Sequence, residues 1–259
     1  MVGFLFAFLL GLTVGSFLYL CICRLPADEP LVGQPARCPA CRARLAWPDI
    51  IPVVGYFRLR GRCPYCRAPF AARRALVELA VGVLFAWCFA VFGPGAIFVK
   101  AIILASFLVV ITVIDYDHRL ILDRVVVALA ATGIAVNLAL HLNVDPGPFT
   151  AQIVGPPSML YGGILGGIVM LVLALVPGSG MGGGDIKFAA ALGLWFGWQL
   201  TIPMLFLSFV FGGLGAALLM LFKRKGRKDY MPYGPYIAAG AFATMLYGPQ
   251  IIAWYLLGR

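Results

Sequence analysis

Four cysteines form two CxxC turns, Cys38-Pro39-Ala40-Cys41 and Cys63-Pro64-Tyr65-Cys66, with 21 residues between them in an arginine-rich stretch. That spacing suits a four-thiolate zinc site, the device that folds a short loop lacking a hydrophobic core. Two matched turns exceed what a dithiol switch requires, and no thioredoxin-like βαβ pattern surrounds them. The expectation is therefore a structural metal held by Cys38, Cys41, Cys63 and Cys66. The second chemical group is acidic. The chain has only 10 carboxylates, and Asp115, Asp117, Asp123 and Asp185 all fall at the ends of apolar runs. Acids at membrane depth are costly and tend to be functional. Asp123, just before Arg124-Val125-Val126-Val127, reads as a helix N-cap. Asp117, beside His118 and Arg119, reads as a solvated loop residue. Asp185 differs because Gly178, Gly180, Gly182, Gly183 and Gly184 precede it. Such a segment reaches backbone conformations closed to other residues and lets a substrate main chain come close, although a flexible turn has the same composition.

The elements that carry these residues follow from composition. Hydrophobic residues make up 62% of the 259 and charged residues 12%, against roughly 45–50% and 25% in soluble domains; the mean hydropathy is +0.97. This excludes an ordinary soluble enzyme and predicts an all-α polytopic membrane protein. Runs near the ~20 residues needed to cross hydrocarbon lie at 2–22, 76–93, 97–115, 124–142, 158–176, 186–199, 202–222 and 234–256. About eight transmembrane helices are expected, the short sixth and its join to the seventh being the least distinct. The apolar start lacks a basic n-region and runs into Arg24-Leu25-Pro26 without a small-residue cleavage site, so it reads as a retained span. The predicted organisation is a first helix at 1–23, a tetracysteine module at 24–75 and a helical core at 76–259.

Charge orients these spans. Arginines crowd the first loop, and Lys223-Arg224-Lys225-Gly226-Arg227-Lys228 forms a second basic run. Both are expected on the cytoplasmic face, with the ends of spans that bear Asp115 and Asp185 on the same side. The net charge of +10 thus reads as membrane topology, with no nucleic-acid partner. A reducing cytoplasm also favours metal ligation over disulfides. Cys21, Cys23 and Cys88 read as packed thiols. Glycines at 162–163, 166–167, 212–213 and 215 read as small faces for helix packing, Trp195, Trp198 and Trp254 as interface markers, and Lys100 as a snorkelling cation. Gly234-Pro235 reads most simply as a helix start, with the shaping of a catalytic cavity as the alternative.

The order of these motifs resembles the bacterial type IV prepilin leader peptidases, membrane enzymes of the GxGD aspartyl protease class. The resemblance rests on Gly11-Leu12-Thr13-Val14-Gly15-Ser16-Phe17-Leu18, Arg24-Leu25-Pro26, the tetracysteine loop with Trp47-Pro48-Asp49, and Leu76-Val77-Glu78-Leu79. It continues through Ile114-Asp115-Tyr116-Asp117-His118-Arg119-Leu120, Gly180-Met181-Gly182-Gly183-Gly184-Asp185-Ile186-Lys187 and Tyr233-Gly234-Pro235-Tyr236. It implies removal of the basic leader of prepilins and pseudopilins after a glycine, with Asp115 and Asp185 as the catalytic pair. Two adjacent carboxylates share one proton, so the ionised member can activate water while its partner polarises the carbonyl. Asp117 stays a rival to Asp115 on sequence grounds.

The resemblance also implies N-methylation of the new terminus from S-adenosylmethionine. Glu78 is a candidate for holding the amine or the donor, and equally a partner for Arg73 or Arg74; Gly182, Gly184 and Lys187 are further candidates for substrate or cofactor contact. Pilus or secretion assembly machinery are the implied partners, and the bacterial inner membrane the implied location. A peptidase without methyl transfer, an ion-coupled transporter and a zinc-bearing scaffold are the alternatives. Departures from the family pattern include Tyr19 for asparagine, Leu122 for proline, and Arg42 and Arg67 where glycine is frequent after each cysteine pair.

Overall fold

The computed structural model describes residues 2–31, 41, 43, 52–53, 58–59, 61–68, 72–143, 152–176, 181–221 and 232–257. Cys38, Trp47-Pro48-Asp49, Gly180 and the basic run at 223–228 lie outside them. The described residues form seven helices: α1 (Val2–Arg24), α2 (Arg73–Phe92), α3 (Ala96–His118), α4 (Asp123–Asn143), α5 (Pro156–Ala174), α6 (Gly183–Leu221) and α7 (Gly234–Leu257). All seven are long and apolar enough to cross a membrane. The chain forms two compact units, Met1–Phe98 and Val99–Arg259, with α3 starting in the first and running through the second.

In the first unit α1 packs along α2 through small residues. A Cβ on Gly11 would lie 2.7 Å from Gly82 Cα, and one on Gly15 would lie 2.8 Å from Glu78 Cα. With Ala7, Leu18 and Ile22 also buried, this is the glycine-spaced face that lets apolar helices associate by van der Waals contact where lipid removes any hydrophobic drive.

Among the described residues seven helices stand in place of about eight, because in the second unit runs 186–199 and 202–222 join without a loop as α6, two helical limbs that meet at Gly197 with φ 68° and ψ 171°. Glycine is required there: the dihedrals lie outside the helical region, and a Cβ would lie 2.5 Å from Ser158 Oγ. The break is a reversal. Asp185 and Gly212 would stand about 40 Å apart on a straight helix, yet both approach Tyr233, Asp185 by its charge and Gly212 by a would-be Cβ 2.7 Å from the ring. The first limb, 183–196, packs on α5 where Gly162 meets Gly193 and Gly166 meets Ala189.

Two further expectations are overturned at the end of that limb. Lys100 does not snorkel to the surface. It is buried, and its ammonium donates to Asn137 Oδ1 at 2.6 Å, the Gln152 carbonyl at 2.6 Å and the Trp195 carbonyl at 3.3 Å. Asn137 Nδ2 donates to the carbonyls of Leu194 and Trp195. A helix that stops at Gly197 leaves its last carbonyls without intrahelical donors, and a cation with an amide supplies them, as suits the negative end of a helix dipole. Trp195 is likewise no interface marker: it is fully buried and donates Nε1–H to the Leu129 carbonyl at 2.8 Å. Lys100→Met is expected to lower the thermal unfolding midpoint in detergent, because Asn137 Oδ1 and the Gln152 carbonyl each lose a donor worth about 1–3 kcal/mol when buried. An unchanged midpoint would contradict this account.

Candidate functional site

Asp115 sits in the last turns of α3, 3% exposed. Its Oδ2 accepts the Gly234 backbone N–H at 3.0 Å. Gly234 opens α7, so the carboxylate faces the positive end of a helix. A Cβ at 234 would lie 2.6 Å from Oδ2, and any side chain there would displace the acid. Pro235 follows without cost, because the first helical positions need no N–H partner.

Asp185 lies in the first turn of α6, 4% exposed. Its Oδ2 accepts the Gly182 N–H at 3.0 Å, while its own N–H donates to the Gly182 carbonyl at 3.1 Å. This is the side-chain half of a capping box, an acid at the third helical position reaching back to the cap. Among the described residues neither carboxylate has another hydrogen bond, which leaves Oδ1 of each for chemistry. The two acids are near enough for their charges to interact. Tyr233, just ahead of α7, has its phenol pushed up by burial and by the charge of Asp185, so it remains a protonated donor beside the pair.

Of the sequence candidates, Asp115 is buried at this pair whereas Asp117 is exposed. Asp123 does not cap α4 with its side chain: Leu122 supplies the carbonyl for Val125 and Val126 N–H, and the Asp123 carboxylate instead receives Lys187 Nζ at 2.7 and 2.8 Å. A carboxylate satisfied by a nearby ammonium has no need of backbone amides. Lys187 is thus paired, Gly182 binds Asp185, and Gly184 lies against Ile121. Gly234-Pro235 was legible as a helix start and as a shaper of the cavity; the bond from Gly234 to Asp115 and the proximity of Tyr233 were not.

Glu78 belongs to the first unit. It is buried, and both oxygens are engaged: Oε1 by Ser16 Oγ–H and by Arg74 Nε at 2.9 Å, Oε2 by the Val53 N–H at 2.7 Å. Arg74 is therefore its ionic partner, and the acid ties the loop at Val53 to α1 and α2. In the same unit three cysteines of the tetracysteine loop converge on one another. The sulfurs of Cys41, Cys63 and Cys66 lie within 4.8 Å of one another, Cys41 and Cys63 at 3.8 Å. Tetrahedral Zn–S bonds of ~2.3 Å imply sulfur separations of about 3.8 Å, so these thiols fit such an ion; Cys38 lies outside the described residues.

Comparison with known proteins gives two family matches: the bacterial peptidase A24 N-terminal domain over residues 9–92 and the type IV leader peptidase family over residues 102–217. Among curated relatives, the prepilin leader peptidase/N-methyltransferase of Burkholderia pseudomallei is 33% identical over 97% of this chain and 87% of its own. The Pseudomonas aeruginosa protein of the same name is 32% identical, covering 96% and 91%. That of Bacillus subtilis is 29% identical, covering 96% of each chain. No solved structure matches.

Proposed function

The chain belongs to the type IV leader peptidase family, and on that premise we propose that it cuts the leader from prepilins and pseudopilins after a glycine and then N-methylates the new terminus. The observation that carries the proteolytic half is the pair Asp115 and Asp185, two buried acids, each fixed through Oδ2 by the N–H of a glycine at a helix start. One carboxylate takes a proton from water as the water attacks the scissile carbonyl. The other, protonated, donates to the carbonyl oxygen, and proton transfer to the leaving amine then breaks the bond.

Zinc is the ion that suits the tetracysteine loop, with Cys38, Cys41, Cys63 and Cys66 as ligands and a folding rather than a catalytic role. Arg67, directly after the second pair, has φ 57°, in the left-handed region that favours glycine. Arg67→Gly is expected to relieve about 0.5–1 kcal/mol of backbone strain and so tighten zinc binding a few-fold in chelator competition; weaker binding would oppose the assignment. S-adenosylmethionine is the donor for methyl transfer, which needs chiefly a neutral amine aligned with the sulfonium. The first unit is the proposed transferase platform, with Glu78 holding its loop. The excess of Lys and Arg in the first loop and in the run at 223–228 supports a reading in which cleavage occurs at the cytoplasmic face of the bacterial inner membrane, where pilus or secretion assembly machinery would take the product.

Co-expression with a prepilin, followed by intact-mass measurement of the product, tests both halves. Loss of the leader mass reports the peptidase, and one added methyl reports the transferase. An unprocessed prepilin would overturn the proposal.

A further inference from the structure

The segment that joins α3 to α4 grips the first turn of α6 at two points. Arg119 closes α3 in a left-handed conformation, φ 53°, with its N–H on the Asp115 carbonyl at 2.8 Å. The chain then passes Ile121 over Gly184, so closely that a Cβ at 184 would lie 2.9 Å from Ile121 Cβ. Two residues later Asp123 holds Lys187 Nζ through both carboxylate oxygens, at 2.7 and 2.8 Å. Residues 184 and 187 share one face of a helix, while 185 points well away from it. The same short stretch is thus continuous with the helix that bears Asp115 and clamped to the turn that bears Asp185.

We propose that Asp123 and Lys187 are positioning residues for leader cleavage: their ion pair, with the Ile121–Gly184 contact, sets the rotation of the first turn of α6 and hence the separation of the two catalytic carboxylates. This rests on the reading of Asp115 and Asp185 as the hydrolytic pair. The bond is not there for bulk stability. Both partners are more than half exposed, at 58% for Lys187 and 66% for Asp123, and exposed pairs contribute little to folding. Its consequence is geometric, because a misplacement of ~1 Å at a reacting group can cost about 100-fold in rate. It also accounts for Lys187 without any contact to substrate.

The test is a double-mutant cycle on the full-length protein purified in detergent, with steady-state cleavage of a prepilin. Asp123→Asn and Lys187→Met should each lower kcat about tenfold while KM stays within twofold and the thermal midpoint barely moves. The double variant should be no more than about threefold below the singles, since both remove one interaction. Asp123→Glu and Lys187→Arg, which keep the pair, should stay within about threefold of the parent. Singles within twofold of the parent, losses that multiply towards 100-fold, or a defect confined to KM would each overturn the proposal. Asp115→Asn and Asp185→Asn are measured alongside. If they still cleave, the dyad reading fails; if they are inert and the cycle behaves otherwise than stated, only the positioning role fails.

Discussion

Asparagine in place of Asp115 or Asp185 is expected to stop leader cleavage, with a loss of at least about 10³-fold, while the protein remains inserted and monodisperse. The substitution is chosen for what it keeps. An asparagine carbonyl can still accept the Gly234 or Gly182 N–H that Oδ2 accepts now, so the local fold survives. What disappears is a group that can take and return a proton. The two losses should not add, because a dyad missing either member has already lost its function; the double variant should match the singles. Asp117→Asn, altering an exposed residue, should retain cleavage within a few-fold. Substantial turnover by either dyad variant, or a defect at Asp117 as deep as theirs, would show that the pair has been misassigned. Time courses on a purified prepilin resolve all four proteins.

The second large effect is expected at Cys63, a residue 1% exposed whose N–H donates to the Ala68 carbonyl at 2.9 Å within the turn. Cys63→Ser should reduce zinc from one ion per chain to near none. Structural zinc supplies about 10–16 kcal/mol of apparent binding energy to small modules, far more than a loop of this size can replace by packing. Methylation of a pre-cleaved pilin should then fall at least tenfold more than cleavage of an intact prepilin. The reason is structural: the loop is moored to Glu78 through Val53 in the first unit, whereas both hydrogen bonds of the dyad come from Gly182 and Gly234 in the second. Metal analysis and the two activities measured on one preparation decide the matter. Equal losses would make the loop a staple for the whole enzyme instead.

Much of this protein is written in local patterns. Apolar runs marked the spans because a helix that meets all its backbone hydrogen bonds internally is the simplest solution in lipid, and its length is set by the hydrocarbon. The cysteine turns were legible because a metal knuckle is built from residues a few positions apart; the glycines before Asp185 read as permissive backbone, and the capping bond from Gly182 to that acid emerged only in the structure. Long-range partnerships were not. Gly234 reaches Asp115 across 119 residues, and Lys100 reaches Asn137 across 37; nothing in either neighbourhood announces the other. Hydropathy resolved the two runs of α6 as a hairpin but not the loop-free join at Gly197 that ends the first limb, since a backbone dihedral leaves no trace in an apolar average. Asp123 had the composition of a cap, yet Lys187, brought near only by folding, took its carboxylate. Residue types and spacing thus determined that acids at helix ends, a cysteine cluster and a membrane bundle are present, and the family resemblance picked out Asp115 and Asp185. Only tertiary packing decided which acid faces which helix start, because burial and charge interaction depend on distance in space and not along the chain.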